Sequence, residues 1–307
     1  MYTVCEAAKP IAVPGSKQKA LQALIQPPVI AWPTIFIWLS VMVLIPVCDW
    51  LAIRGAIPLW TACILNSLIM YPLFGVMHDA THRAISKIPA VNDWVGSIAL
   101  ILAAPYVGLG VFRWAHMQHH RFTNGPKDPD NWVHGAWWTL PFRWATYDLY
   151  YLSFIIRSED KIGRKQLGYT SINAALTAMA VVALVHAGYG REVLILWFIP
   201  ARITLAYFGF VFFWLPHVKN DVSAQENLTL ASGIRLGYER FFNIVCQYQN
   251  YHLLHHLWPS TPPYNHPKIW RLMKEDIMRR DLAVQYGFAL TPTVVQGKSG
   301  ASGGDHA

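Results

Sequence analysis

Four stretches of this 307-residue chain are longer and more apolar than the interior of a soluble domain requires. Residues 29–48 (VIAWPTIFIWLSVMVLIPVC), 55–77 (GAIPLWTACILNSLIMYPLFGVM) and 171–189 hold no Asp, Glu, Lys or Arg, and residues 193–216 hold only Arg202. About 20 such residues, wound as a helix, cross the ~30 Å hydrocarbon core of a bilayer. A helix is one of the few structures that satisfies its own backbone polar groups there. The first pair is joined by a short link holding Asp49 and Arg54, the second by Arg191-Glu192. Each pair therefore reads as a hairpin, and the fold class as all-α: an integral membrane protein with four transmembrane helices in two hairpins. With 54% hydrophobic and only 14% charged residues, a disordered chain and an ordinary soluble enzyme are both excluded.

The stretch 95–112 is also uncharged but is broken by Pro105, Gly108 and Gly110, so it reads as re-entrant or interfacial. Both hairpins then return to one side. On that side fall 22 of the 25 Lys and Arg, leaving Arg54 and Arg191 opposite and Arg202 within the membrane. The positive-inside rule makes the charged side cytoplasmic. The resulting layout is an N-terminal cytoplasmic tail over 1–27, a single membrane domain over 28–290 with a cytoplasmic helical cap, and a flexible tail over 291–307 ending in GKSGASGGDHA. The net charge of +8 follows from that topology, and no nucleic-acid motif accompanies it. Cys5, Cys48, Cys63 and Cys246 are scattered, with no CxxC pair, and read as reduced structural residues. Residues 1–27 contain no continuous apolar run of the signal-peptide kind, so the first crossing is expected to act as its own insertion signal.

Histidine carries the chemistry. Eight of the 13 histidines fall in three clusters: HDATH (His78, His82), HMQHH (His116, His119, His120) and HLLHH (His252, His255, His256). Residues three or four apart share one helix face, so His78 can act with His82, and His116 with His119 or His120. His119 and His120 diverge by about 100°, so one helix can feed two metals. The first box follows the second crossing and the others lie in cytoplasmic segments, so all eight imidazoles can converge on one surface. The third box is expected to close one helix running from Arg240 to Leu257. A closed zinc site needs about four ligands, and eight or nine imply two. Such ligation of paired redox-active metals points to iron and oxygen chemistry. His217, after Pro216 at the end of the fourth crossing, is a candidate ninth ligand. His186 lies too deep, and His134, His266 and His306 read as loop or surface residues. Asp79, Asp128 and Asp130 are candidates to orient ligating rings through their second nitrogen, with Gln247 and Asn250 as weaker candidates. Trp114, Trp132, Trp137, Trp138 and Trp144 cluster around the second box, as interfacial anchors or walls of a substrate path.

At its HxxxH box and two HxxHH boxes the sequence resembles the membrane fatty acid desaturase superfamily over roughly residues 55–270. The runs HMQHHRFTNGPKDPD, QNYHLLHHLWPSTPPYN and WLPH look most like the cyanobacterial carotenoid β-ring hydroxylase branch. Where that branch usually continues Arg-Pro after WLPH, this chain has Val218-Lys219-Asn220. The resemblance implies a non-haem di-iron oxidoreductase, with His78, His82, His116, His119, His120, His252, His255 and His256 as ligands and His217 more strongly placed as the ninth. It further implies O2 as oxidant and hydroxylation or desaturation of a long apolar lipid, either a fatty acyl chain or a carotenoid ring. No dinucleotide fingerprint or fused redox domain is visible. Electrons are therefore expected from a separate donor, such as a ferredoxin-like protein docking on the basic cytoplasmic face of the inner membrane.

Two other readings use the same residues. A membrane zinc hydrolase could use HDATH in the manner of HExxH, with Asp79 replacing the Glu, but it leaves two boxes idle. A histidine-lined metal transporter is the other, although transporters place their sites near the midplane and these boxes lie beyond the crossings.

Overall fold

The structure, a computed structural model, describes residues 6–219 and 221–297. Cys5, Asn220, His306 and the Gly/Ser-rich end beyond residue 297 lie outside the described residues. The fold is mostly helical. The chain forms two compact units. One comprises Pro27–Arg121 and Lys127–Trp214, here the membrane unit. The other comprises the described parts of Met1–Gln26, Phe122–Pro126 and Leu215–Ala307, here the C-terminal unit.

Among the described residues, three helical segments are long and apolar enough to cross a membrane: Trp32–Ile53, Leu59–Thr81 and Lys161–His217. The first leaves Trp32, Phe36, Val43 and Trp50 exposed, and the second Trp60, Ile64 and Leu68. Water would penalise that arrangement and lipid does not. The expected crossings 171–189 and 193–216 lie within the third segment, which has 57 residues. Helical geometry lapses at Gly188, whose φ of 92° suits a residue without Cβ. Asn173 and Trp197 nevertheless line one cavity of about 610 Å³, although a straight helix would separate them by about 36 Å. The segment therefore folds back at Gly188. The stretch 95–112 is not one helix, because Pro89–Ala103 ends before Pro105 and a second helix starts at Leu109.

Arg202, the charge inside the fourth apolar stretch, is a half-buried polar contact. Its guanidinium donates to both oxygens of Asp148 (2.9 and 3.2 Å), to the Ala145 carbonyl (3.0 Å) and to Tyr106. Asp148 is itself buried, so the pair neutralises two charges away from water. Of the tryptophans around the second box, Trp114 is buried whereas Trp137 and Trp138 stand exposed.

The C-terminal unit departs from the all-α expectation by a small sheet, ordered β1 (Ile234–Leu236), β2 (Leu282–Tyr286), β3 (Thr293–Val295). β1 runs parallel to β2, pairing Ile234 with Val284; β3 runs antiparallel, pairing Val295 with Leu282. β3 falls inside the tail read as flexible from residue 291. Tyr251, Leu253, Leu254, Ile269, Met273 and Ile277 form the core with Ile234 and Val284. Leu21 of the N-terminal helix Gly15–Ile25 joins that core, and Lys17 reaches Asp276 at 2.7 Å. The described part of the tail over 1–27 thus packs against this core through Ile11, Leu21 and Lys17.

Candidate metal-binding histidines

In the membrane unit, the helix Leu73–Thr81 ends on the first box. His78 and His82 stand one turn apart, with ring centroids 4.8 Å from each other. Phe74, one turn earlier, stacks on Phe212 at 3.8 Å and packs against the His78 ring at 5.3 Å. The helix terminates at Arg83, whose φ of 57° is left-handed. There the Arg83 amide donates to the Ala80 carbonyl (3.3 Å) and the Ala84 amide to the Asp79 carbonyl (2.8 Å), the two bonds of a Schellman cap. Arg113 completes the end: it donates to the Ala80 and Thr81 carbonyls at 2.9 and 3.2 Å, and pairs with Asp93 at 2.7 Å. Nothing in the motif spacing marks Arg113.

Arg113 belongs to the helix Leu109–Phe122, which carries the second box. His116 presents its ring 4.9 Å from His78 and 4.8 Å from His82, and one ring nitrogen from each of these three lies within 4.8 Å of the others. His120, one turn on, has its ring 4.7 Å from His82 and its Nε2 3.3 Å from the Nε2 of His116. Burial, then the neighbouring imidazoles of His82 and His116, hold His120 well below the usual histidine range. The neutral ring is the form that binds a metal.

His119 points elsewhere, as the 100° step requires. Its Nδ1 lies 3.0 Å from both oxygens of Asp128 and 3.3 Å from Asp130. Asp128 also caps the 3-10 helix Pro129–Val133 by accepting the Asp130 amide at 2.8 Å, and Tyr151 donates to Asp130. Burial works against a charged His119 ring, but Asp128 and then Asp130 outweigh it and raise the group to about 9. That field would equally stabilise a cation at Nε2. Asp79 lies 3.8 Å from His78 Nδ1 and accepts the Thr34 hydroxyl at 3.0 Å.

In the C-terminal unit, the expected single helix from Arg240 to Leu257 is two, Glu239–Val245 and His252–Leu257. Gln247 and Tyr248 take left-handed φ of 47° and 65° between them, and the Tyr248 amide turns back to the Asn243 carbonyl at 3.1 Å. This break re-aims the third box. The Leu253 amide donates to the Gly233 carbonyl at 3.1 Å, tethering the box helix beside β1. His252 places its Nε2 3.0 Å from that of His217 and 3.1 Å from that of His256. His255 is buried in the same helix, its ring 5.3 Å from His252.

The second nitrogens explain the orientation. His217 Nδ1 lies 2.8 Å from the Ala231 carbonyl, and His252 Nδ1 lies 2.8 Å from Gln249 Oε1. Each oxygen can only accept, so each Nδ1 carries the proton and each Nε2 is left with its lone pair. Lone pairs 3.0 Å apart repel, and a shared cation removes that repulsion. The donor set therefore fits an imidazole-ligated first-row metal. Gln249 is the orienting residue that spacing missed; Asn250, one of the expected pair, instead donates to Asn243 at 3.1 Å. His266, read as a surface residue, is buried with its ring 6.5 Å from His255. His186 is exposed in the third apolar segment.

A family model described as "Fatty acid desaturase" matches residues 54–288. The chain is 26% identical over 273 residues to an sn-1 oleoyl-lipid 12-desaturase of Arthrospira platensis, covering 76% of this chain and 73% of that protein. It is 25% identical over 217 residues to a chloroplastic omega-6 fatty acid desaturase of Spinacia oleracea, covering 62% and 48%. Against a sphingolipid delta(4)-desaturase/C4-monooxygenase of Homo sapiens it is 24% identical over 274 residues, covering 85% and 79%.

Proposed function

The chain belongs to the fatty acid desaturase family, and from that membership we propose that it is a membrane-bound oxidoreductase that uses O2 and two external electrons to oxidise a long acyl chain of a lipid. Its ligands are His78, His82, His116, His119, His120, His252, His255 and His256, with His217 as the ninth, and they hold two irons. The observation that carries this reading is the orientation of His217 and His252, whose protonated Nδ1 atoms are engaged by oxygen acceptors while their Nε2 atoms face another imidazole.

When bound, the iron pair supplies O2-dependent cleavage of an unactivated C–H bond. The chain's own residues orient and insulate. Asp128 and Asp130 fix the His119 ring, Gln249 fixes His252, and Phe74 and Phe212 keep water from the first box. Desaturation converts a CH2–CH2 pair, O2, two electrons and two protons into CH=CH and two waters. Hydroxylation uses the same inputs to give one alcohol and one water. The human relative's name joins a desaturase with a monooxygenase, which supports one site whose outcome is decided by substrate placement.

Topologically, we read the fold-back at Gly188 as the link between a third and a fourth crossing, with the histidines on the cytoplasmic side where 22 of the 25 Lys and Arg fall. Electrons arrive from a separate ferredoxin-like protein. The test is metal analysis of the purified chain together with lipid and pigment profiling of a host that co-expresses a matched reductase. About two irons per chain and a new double bond or hydroxyl on an acyl chain support the reading. One zinc without iron turns it into a hydrolase, and a hydroxylated carotenoid ring moves the substrate to pigments.

A further inference from the structure

The helix Glu239–Val245 buries Phe242 but turns two large apolar side chains outward, Phe241 (48% exposed) and Ile244 (77%). They stand three residues apart, on one face. Tyr238 and Phe288 are each 67% exposed and extend that face, since the Phe288 ring lies 5.5 Å from Tyr238 and 5.6 Å from Phe241. The loop bearing Phe288 is held by Arg235, which donates to the Gly287 and Ala289 carbonyls, so the ring is presented rather than swung outward. Beside Phe241, Arg240 and Arg271 line a cavity of about 660 Å³ with Trp270. Glu239 shares it, with a carboxylate oxygen accepting the Gly237 amide at 2.8 Å.

We propose that this face of the C-terminal unit rests on the bilayer surface, with Tyr238, Phe241, Ile244 and Phe288 at the boundary of headgroups and acyl chains and Arg240 and Arg271 against acidic headgroups. Apolar and aromatic side chains rimmed by arginine match that boundary in both polarity and charge. The four side chains expose roughly 500 Å² between them, short of the ~800 Å² that each partner of a stable protein complex contributes. A membrane needs no such minimum, because the apolar helices of the same chain already hold the bilayer within reach at high effective concentration. No part of the proposal depends on which reaction the histidines support.

The test is photo-crosslinking of the full chain in its host membrane, with benzoylphenylalanine replacing Ile244, and Glu226 in an exposed loop as the control position. The expected result is lipid adducts at position 244 exceeding those at 226 by about five-fold or more. The double variant Arg240→Gln/Arg271→Gln is expected to lower the acidic-lipid share of those adducts. A cross-link from position 244 to a second copy or to another protein, or equal lipid adducts at both positions, overturns the proposal. Because the readout is adduct mass and not oxidation, its failure leaves the enzymatic reading untouched.

Discussion

Arg113 donates to the carbonyl of Ala80 at 2.9 Å, so the helix that carries the second histidine box closes the end of the helix that carries the first. Unpaired carbonyls concentrate negative potential at a helix C-terminus, and a cation placed there is favourable. The same guanidinium reaches Thr81 and pairs with Asp93, so its position is fixed from three sides. His78 and His82 flank the carbonyls it holds.

Replacing Arg113 with Met should keep the aliphatic packing and remove the cap. The expected loss is about 1–2 kcal/mol of stability, with a larger fall in metal content, because the first box frays toward Arg83. Thermal unfolding in detergent and metal-to-protein ratios check this. An unchanged metal ratio would show that the cap does not align the boxes.

Asp128→Ala removes the oxygens 3.0 Å from His119 Nδ1 and should weaken metal binding by about 10–100-fold. Asp128→Asn keeps one acceptor and should fall between that variant and the parent. Competition with a graded series of chelators measures both, and equal loss in the two variants would mean that charge rather than ring orientation matters.

At Gly96 a Cβ would come 2.5 Å from the Cβ of Ala80, in the turn between His78 and His82. Gly96→Ala should therefore cost about 1–3 kcal/mol through overpacking and lower metal content. Adding Ala80→Gly relieves the clash, so the double variant should recover metal binding that neither single change preserves. Metal analysis of all three variants decides it.

Burial pushes the Cys246 thiol up to about 11, with Arg235 only partly opposing it. The folded chain thus keeps a proton that the unfolded chain releases near 9, and this group's contribution to stability falls as pH rises from about 9 through 11. At pH 8 Cys246 should resist iodoacetamide in the folded protein and react after denaturation. Peptide mass spectrometry reads the site directly, and rapid labelling of folded protein at pH 8 would contradict the burial argument.

The part of the histidine chemistry that rests on local geometry was legible in the sequence. His78 with His82, and His116 with His120, are one helical turn apart in any fold that keeps those turns helical, and the structure brings their rings within 5 Å. The long apolar stretches were legible for the same reason, since the length needed to cross a bilayer is a property of the segment. Arg202 was not. Its partners Asp148 and Tyr106 lie 54 and 96 residues away, and no pattern along the chain pairs them.

What the sequence determined by itself was the clustering of imidazoles, their helical spacing and apolar length, each set by covalent neighbours within a turn or two. Tertiary structure alone decided which oxygen holds each ring. Gln249 accepts from His252 where the left-handed backbone at Gln247 and Tyr248 ends one helix and re-aims the next. It also decided that His266 is buried, that a three-stranded sheet anchors the third box, and that Arg113 caps the first. These depend on contacts between segments far apart in the chain, whose energies come from burial and hydrogen bonding that exist only once the segments have met.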